Sequence, residues 1–187
     1  AKTIQELMGY EGNIRKRYYD AWPVIINQEI EFEKRVMHPP DNMMNSLISY
    51  VNSMIYTKVL TEMYQTQINP TISYLHEPGE RRFSLSLDLS EVFKPVIVFR
   101  TIFDLVNNRK LQVEKHFERK VNYCILNEEG RKIFIEAFEN RLESVFLHLK
   151  LKRKVSYRTA LKLDCYKLIK NILEGKEFVP FSLKEGM

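Results

Sequence analysis

One histidine and three acids in this sequence have the side-chain types and the spacing of a metal site. His76 is followed fifteen residues later by Glu91, and Asp88 lies three residues before Glu91. Glu11 lies far upstream, in the segment Gly-Tyr-Glu-Gly-Asn. Residues three apart on a helix share one face, so Asp88 and Glu91 would point the same way. We predict that the four side chains assemble into one site with oxygen and imidazole ligands.

The absence of a thiolate from this set indicates which ions would fit. Carboxylates with one imidazole suit Mg²⁺ or Mn²⁺, and the imidazole shifts the choice toward Mn²⁺ while leaving Zn²⁺ open. A divalent ion among acids can polarise a phosphoryl oxygen and activate a bound water or a nucleic-acid hydroxyl. The set is therefore typical of phosphodiester chemistry.

Each of these residues also has an ordinary structural interpretation. Acids such as Asp88 and Glu91 are common at helix starts because they complement the helix dipole. His76, in front of Glu-Pro-Gly, could be a surface turn residue, and Glu11 could be one solvated glutamate among many. From spacing alone, both interpretations stay open.

The charge of the chain favours an anionic partner. Lys and Arg number 29 against 24 Asp and Glu, which gives a net charge of +5 and a sequence pI of about 9.1. This balance favours nucleic acid as the partner. The candidate phosphate contacts are three basic clusters, namely Arg15, Lys16 and Arg17, then Arg81 and Arg82, then Lys150, Lys152, Arg153, Lys154 and Arg158. A solvated helix face is the alternative for each cluster.

Cysteine usage and hydropathy bear on the cellular compartment. Cys124 and Cys165 form no CxxC pair, so neither a disulfide framework nor a cysteine-built zinc site is indicated. The sequence has no apolar run long enough to span a membrane, and its amino end lacks a secretion-signal pattern. We expect a cytoplasmic protein with no membrane partner.

The hydrophobic periodicity predicts a mostly helical chain. Helices are predicted over residues 4–22, 42–67, 96–107, 128–148 and 156–173, with a shorter one that Ser84 or Ser86 caps and that ends at Phe93. Asp41 or Asn42 and Asn127 are candidate helix caps, and Gly175 ends the last helix. A new helix can begin at Pro95, and residues 121–126 could form a short strand. We predict an all-α fold, a mostly helical bundle, with residues 1–187 as one domain.

Five motifs in the same order resemble the CRISPR-associated adaptation integrase family. They are Glu-Gly-Asn on the first helix, Pro-Pro-Asp with Asn45 opening the long helix, Asn-Pro followed by Leu-His-Glu-Pro, the stretch from Ser84 to Pro95, and Lys-Val-Ser-Tyr-Arg at 154–158. The match covers nearly all 187 residues and resembles the family's helical carboxy-terminal catalytic domain, most of all the variants of type I-B systems. The family's amino-terminal β-rich domain is not part of the match, so we expect this to be a piece of a longer protein.

The resemblance implies a metal-dependent enzyme that joins short captured DNA segments into a CRISPR array in prokaryotes. It implies that Glu11, His76 and Glu91 hold Mg²⁺ or Mn²⁺, with Asp88 in a supporting position. The nucleophile would be a DNA 3′-hydroxyl, and endonuclease activity would be a side reaction of the same site. The implied partners are double-stranded DNA, a small companion adaptation protein, and a second copy of the full-length protein.

Three positions of the long helix and one of the helix after Pro95 bear on the same resemblance. Asn45 and Tyr50 match family positions near the site, where they would support packing or DNA. Val51 and Phe99 depart from the residues that are common in the family. Neither is a proposed ligand, so we expect the departures to affect local packing or an ion pair before they affect catalysis.

Two other functions remain open from the sequence. The first is a non-catalytic nucleic-acid-binding helical module, in which the basic clusters bind and the acids only cap helices. The second is a helical protein-interaction domain, with a partner groove lined by Met43, Met44, Met54 and Met63. Methionines at helical spacing are more often part of a core than of a groove.

Overall fold

The longest helix, α3, covers Met43–Tyr64, where the sequence places apolar residues around most of the helix circumference. Its start is fixed by Asn42, whose Oδ1 accepts a hydrogen bond from the backbone N–H of Asn45 at 2.9 Å. The buried apolar residues along it are Met44, Leu47, Ile48, Val51, Ile55, Val59 and Met63. A helix with so wide an apolar surface lies in a core.

The computed structural model describes residues 2–28, 32–36, 38–76 and 83–182. Besides α3, the helices there are α1 Ile4–Asp20, α2 Trp22–Ile25, α4 Ser84–Phe93, a π-helical segment Lys94–Phe99, α5 Arg100–Asn107, α6 Val113–His116, α7 Glu128–Glu143 and α8 Tyr157–Glu174. Two antiparallel hairpins are formed by β1 Phe117–Lys120 with β2 Tyr123–Leu126, and by β3 Val145–His148 with β4 Arg153–Ser156.

The chain divides into two compact units. The first comprises residues 1–51 and 101–136, and the second comprises residues 52–100 and 137–187. That residues 1–187 form one domain stays a prediction. In the ranges that the structure describes, no helix is both long enough and apolar enough to cross a membrane.

The first unit packs around the indole ring of Trp22, which is fully buried. The ring stacks on Phe32 with centroids 5.4 Å apart, and it meets Tyr19 and Phe103 edge-on at 5.1 Å each. Such aromatic pairs add about 0.5–1.5 kcal/mol each beyond the burial of their area. The cluster therefore joins the end of α1 to α5 within this unit.

The end of α6, just before the hairpin β1–β2, lies close to the start of α7 in the first unit. A Cβ atom added at Gly130 would lie 2.4 Å from the backbone oxygen of His116, so only glycine allows this approach. Asn127 caps α7 as the sequence predicts, because its Oδ1 accepts a hydrogen bond from the Gly130 N–H at 2.9 Å.

The second unit combines α4, α8 and the hairpin β3–β4. Helix α8 begins after Ser156, whose Oγ accepts a hydrogen bond from the Thr159 N–H at 3.2 Å. It ends at Gly175, which has a φ of 65° in the left-handed region, and this confirms the predicted end. Phe146 and Val155 pair across the hairpin and are both buried.

Three predictions about individual elements are wrong. Helix α7 ends at Glu143 and not at 148, because residues 145–148 alternate between exposed and buried positions and form β3. Pro95 does not begin a new helix, since α4 continues through the π-helical segment into α5. Helix α4 is preceded by Phe83, not by a serine cap, and the Ser86 hydroxyl donates back to the Phe83 oxygen at 2.7 Å.

The other element predictions are confirmed. The chain is mostly helical, and the helices expected around α1, α3 and α8 are present with small differences at their ends. The possible strand at 121–126 is present as β2, although residues 121 and 122 lie in the hairpin turn. Val51 and Phe99, which depart from the family pattern, are both buried core residues.

Candidate metal centre

The carboxylate of Asp88 gathers the backbone that leads into His76. Its Oδ2 accepts hydrogen bonds from the N–H groups of Tyr74 and Leu75, at 2.9 and 3.0 Å. Its Oδ1 accepts one from the His76 N–H at 3.3 Å and lies 2.5 Å from the His76 ring nitrogen Nδ1. One side chain on α4 thus fixes both the path of the segment and the orientation of the imidazole.

This contact decides which nitrogen of His76 is available. An ionised carboxylate can only accept hydrogen bonds, so the ring donates from Nδ1 and a neutral imidazole has its lone pair on Nε2. A carboxylate behind a histidine in this way is the common outer support of a metal-bound imidazole. The side chain of His76 is 29% exposed and that of Asp88 is 13% exposed, so a ligand can reach the ring.

Helix α4 holds Asp88 in place through its own buried residues. Leu85 and Leu89 face the core, and three serines are buried with them, namely Ser84, Ser86 and Ser90. The hydroxyls of Ser86 and Ser90 donate to backbone oxygens three residues earlier, so their burial leaves no donor unmet. The polar residues Asp88 and Glu91 occupy the less buried side of the helix.

Two bonds attach the segment before His76 to the start of α4. The Leu85 N–H donates to the Pro70 oxygen at 3.0 Å, and the Ser84 hydroxyl donates to the Thr71 oxygen at 3.2 Å. Together with the bonds to Asp88, they hold residues 70–76 against the helix. The Ser-Leu-Ser-Leu-Asp pattern is therefore a docking surface for this segment as well as a helix start.

Glu91 forms an ion pair with the ammonium group of Lys94, three residues later. Lys94 is buried, and its side chain is 10% exposed against 22% for Glu91. Burying an ammonium without a partner charge is costly, and this carboxylate supplies such a charge to Lys94. The i, i+3 spacing of Glu91 and Lys94 is visible in the sequence, yet no local pattern predicts that Lys94 is buried.

Glu11 lies on α1 and forms an ion pair with Arg15, one helical turn later. The side chains of both residues are about one-third exposed, and no residue of α1 is buried. Glu11 belongs to the first unit, whereas His76, Asp88 and Glu91 belong to the second. The structure brings His76 and Asp88 into contact, and their assembly with Glu11 stays a prediction.

The donor chemistry of these residues fits a divalent ion. Among residues 2–28, 32–36, 38–76 and 83–182, no group of three or more His, Cys, Asp or Glu side chains is placed to hold a metal. The imidazole has Nε2 available, and Glu91 offers a carboxylate one turn from Asp88. Because the oxygens of Asp88 already accept four contacts, its geometry suits a supporting role.

The basic residues that are candidate phosphate contacts differ in their exposure and in their bonds to acidic side chains. Arg158 donates to Glu143 at 2.6 Å and to Glu139 at 2.9 Å, and these hydrogen bonds raise the pKa of its guanidinium. Arg153 and Lys154 are exposed on β4, and Arg17 is exposed in the last turn of α1. The predicted contacts Arg81 and Arg82 lie outside the described residues.

Asn45, which the resemblance places in packing or in DNA binding, lies in a buried hydrogen-bond network. The side chain is fully buried, and its Nδ2 donates to the Lys34 oxygen at 3.0 Å and to Asp41 Oδ1 at 2.7 Å. Its Oδ1 accepts from the Val36 N–H and from Arg35, both at 3.1 Å. One amide thus ties the segment before α3 to the helix.

Arg35 extends this network along α3. It donates to the Ser49 hydroxyl at 2.8 Å, and burial lowers the pKa of its guanidinium, with Arg15 adding to that effect and Tyr19 and Asp41 opposing it. Tyr50 packs edge-on against Phe134 with ring centroids 5.9 Å apart. Both matched positions of the long helix therefore serve packing and local order.

One family model and several known proteins are similar to this chain along most of its length. A model of the family described as "CRISPR associated protein Cas1" matches residues 1–140 of this chain. The "CRISPR-associated endonuclease Cas1" of Fusobacterium nucleatum is 57% identical over 181 residues, which are 97% of this chain and 53% of that protein. The "CRISPR-associated protein Cas1 1" of Methanobrevibacter ruminantium is 53% identical over 181 residues, which are 97% of this chain and 56% of that protein.

The chain belongs to the Cas1 family of CRISPR-associated proteins. It spans about half the length of the curated relatives it matches. The family resemblance that the five motifs indicate is thereby confirmed.

Solved structures agree with this assignment. A Cas1 protein from Thermotoga maritima has a TM-score of 0.86 at 43% identity, and the match covers 96% of this chain and 55% of that one. A casposase bound to integration product has a TM-score of 0.86 at 20% identity, with coverage of 96% and 53%, and shows the shared fold alone. The predicted mostly helical fold of this family is confirmed.

Proposed function

We propose that this chain carries the active site of a divalent-metal-dependent DNA integrase and endonuclease. The reaction inserts short foreign DNA segments into a CRISPR array by transesterification with a DNA 3′-hydroxyl, as part of prokaryotic antiviral defence. The names of the Cas1 relatives, several of which are called endonucleases, support the nuclease part of the proposal.

The observation that carries the proposal is the arrangement of Asp88 behind His76. Asp88 accepts three backbone N–H groups and the Nδ1 donor of the ring, so the imidazole is oriented before any ligand binds. A histidine that served only as a surface turn residue would need no such support. A fixed ring with Nε2 available is what a metal ligand requires.

His76 through Nε2, together with the carboxylates of Glu91 and Glu11, would hold Mg²⁺ or Mn²⁺. When bound, such an ion supplies Lewis acidity at a phosphoryl oxygen, which contributes several kcal/mol of transition-state stabilisation. The residues themselves bind, orient and balance charge. Arg15 and Lys94 now neutralise Glu11 and Glu91, and both cations would stay beside a bound phosphate.

The reaction exchanges one phosphodiester for another. The oxygen of the incoming 3′-hydroxyl forms a bond to phosphorus and loses its proton, while the bond to the existing 3′-oxygen breaks and that oxygen takes up a proton. The number of phosphodiester bonds is unchanged, so no energy-rich cofactor is needed. Water in place of the hydroxyl gives strand cleavage. The protein contributes positioning and electrostatic stabilisation.

The proposed partners are double-stranded DNA, from the captured segment and the CRISPR repeat, a small companion adaptation protein, and a second copy of the full-length protein. A partial Cas6-RT-Cas1–Cas2 complex shares the fold of this chain, with a TM-score of 0.83 at 17% identity and coverage of 97% and 54%. Its composition supports Cas2 as the companion. Exposed Arg17, Arg153 and Lys154 are the proposed contacts to DNA phosphates.

The test is a Mn²⁺-dependent joining reaction with a short DNA duplex and a plasmid that carries a CRISPR repeat, with companion protein added. We expect His76→Ala to lower joining and cleavage by at least about 100-fold, because it removes the oriented ligand. DNA affinity, measured by fluorescence anisotropy, should stay within about twofold, since phosphate contacts supply it.

Two controls isolate the chemistry. His38→Ala removes an exposed histidine and should leave joining at the wild-type rate. A duplex whose 3′ ends are 2′,3′-dideoxynucleotides lacks the attacking hydroxyl, so it should bind but not join. Joining by His76→Ala at the wild-type rate would remove His76 from the active site. DNA binding without joining or cleavage by the wild-type chain would mean that the chain is a non-catalytic nucleic-acid-binding module.

A further inference from the structure

The segment after α8, residues 175–182, forms neither helix nor strand and is attached at two points within the second unit. Asn171 Nδ2 donates to the Lys176 oxygen at 2.7 Å, just beyond the left-handed Gly175. The Phe181 N–H donates to Asp164 Oδ2 at 2.8 Å. We call this segment the strap. Most of its residues are exposed, whereas Phe181 is buried.

The ring of Phe181 occupies an aromatic box made by Phe93, Phe146 and Tyr157. It stacks on Phe93 with centroids 5.1 Å apart and planes at 16°. It meets Phe146 at 5.5 Å and Tyr157 at 6.2 Å, both edge-on. The ring therefore joins the strap to α4, to the hairpin β3–β4 and to the start of α8.

Phe93 connects this box to the candidate metal centre. It is fully buried, ends α4, and lies between Glu91 and Lys94 in the sequence. Because a helix is stiff over a turn, a shift of Phe93 would also shift Glu91 and Asp88. The stacking partner of Phe93 is thus a support for the carboxylates on the same helix.

The hydrogen bond from the Phe181 N–H to Asp164 fixes the position of Phe181. Its carboxylate is 1% exposed, and it holds the backbone N–H of one strap residue in addition to the ammonium of Lys167 at 2.9 Å. A buried carboxylate carries a desolvation cost that apolar packing alone would not require. The bond sets the depth at which the Phe181 ring enters the box.

These residues lie largely beyond the part of the chain that the Cas1 family model matches. That match ends at residue 140, whereas Phe146, Tyr157, Asp164 and Phe181 follow it. Only Phe93 lies inside the matched range.

We propose that Phe181, held by Asp164, is a positioning residue for the carboxylates of α4. The strap holds the last turn of α4 through the stacking of Phe181 on Phe93. The position of that turn in turn sets the distance of Glu91 and Asp88 from His76. The link to metal binding rests on the proposed function, whereas the link to α4 does not.

The experiment compares Phe181→Ala with the wild-type chain by amide hydrogen exchange and by Mn²⁺ binding in electron paramagnetic resonance. Asp88 accepts the N–H groups of Tyr74 and Leu75, so their exchange reports the position of α4 without any metal. We expect their protection to fall about tenfold, and the Mn²⁺ dissociation constant to rise about tenfold.

Leu168→Ala is the matched control, because Leu168 is a buried residue of α8 in the same unit and forms no part of the box. Urea unfolding should show a similar loss of stability in both variants, whereas only Phe181→Ala should change the two amides. Phe181→Tyr, which keeps the ring, should restore protection. Phe181→Leu provides a milder truncation should the alanine variant not fold.

The outcomes separate the two proposals. Unchanged protection of Tyr74 and Leu75 in Phe181→Ala, or an equal loss in Leu168→Ala, would overturn the positioning role. If Phe181→Ala loses protection, Leu168→Ala does not, and the wild-type chain binds no Mn²⁺, the positioning role is upheld and the metal site is refuted.

Discussion

The two helices that carry the candidate acidic ligands are held in opposite ways. Six of the ten residues of α4 are buried, whereas none of the seventeen residues of α1 is. Apolar residues of α1 such as Leu7 and Ile14 are exposed. Glu11 has an ion pair with Arg15 of its own helix, and Glu91 has one with Lys94, the first residue after α4, so pairing of charge does not distinguish them.

The difference teaches that the candidate site is preorganised on one side only. His76 and Asp88 are fixed to each other and to a core helix before a ligand binds, and Glu91 follows on the same helix. Glu11 lacks this support, because no residue of α1 is buried. We therefore expect Glu11, on a helix without buried residues, to contribute less metal affinity than Glu91.

The largest expected effect is that of Asp88→Ala. Three backbone N–H groups and the His76 ring would lose their charged acceptor, and each unmet donor costs about 1–3 kcal/mol. We expect the free energy of unfolding to fall by about 3 kcal/mol. We expect the Mn²⁺ dissociation constant to rise by about 100-fold. Urea denaturation and electron paramagnetic resonance measure the two quantities.

Asp88→Asn is the control for this change. Its amide oxygen can still accept from the backbone, so most of the stability should return, while the support of the imidazole should not. Wild-type stability and wild-type Mn²⁺ affinity in Asp88→Ala would mean that α4 is not the fixed side of the comparison.

Asn45→Ala tests whether the order of the first unit lies in its buried network and not in α1. The fully buried amide makes four hydrogen bonds, so its loss should lower the free energy of unfolding by about 2–3 kcal/mol. Glu11→Ala, on a helix without buried residues, should change it by less than about 0.5 kcal/mol. Equal losses in the two variants, measured by urea denaturation, would remove the contrast between the helices.

The sequence predicts the elements whose signals are local. Periodic helices with a cap, such as α3 after Asn42 and α8 between Ser156 and Gly175, are correct because capping and periodicity need only neighbouring residues. The hairpin β3–β4 has no such local signal, because the apolar residues of α7 continue without a break into 145–148. The continuation of the helix through Pro95 also runs against the local signal, because proline normally favours a break.

The same distinction applies to the candidate site. The residue types of His76, Asp88 and Glu91 are visible in the sequence, and their importance follows from the family resemblance. The role of Asp88 as acceptor for residues 74–76 depends on how that segment folds back on α4, which no local pattern encodes. The roles of Asn45 and Phe181 are likewise not encoded locally, since their partners lie several residues or whole elements away in the sequence.

Glu91→Gln and Glu11→Gln compare the two helices directly. In this chain we expect Glu91→Gln to raise the Mn²⁺ dissociation constant by about tenfold or more, and Glu11→Gln by less than about threefold, because only the first carboxylate is fixed beforehand. Electron paramagnetic resonance titrations at one ionic strength provide the measurement. A larger effect of Glu11→Gln would show that α1 is ordered by other means and that the asymmetry is not real.

The smallest expected effects concern the basic residues of the second unit, where the contrast between held and available side chains recurs. Arg158 is engaged by Glu139 and Glu143, while the structure assigns Lys154, exposed on β4, no acidic partner in the part of the chain that it describes. Lys154→Ala should therefore reduce the slope of log affinity for a short DNA duplex against log salt by about 1. Arg158→Ala should leave that slope unchanged and lower the free energy of unfolding by about 0.5–1 kcal/mol, as a half-exposed ion pair does. Fluorescence anisotropy over a range of NaCl concentrations measures the slopes, and equal slopes for the two variants would mean that Arg158 exchanges its carboxylates for phosphate when DNA binds.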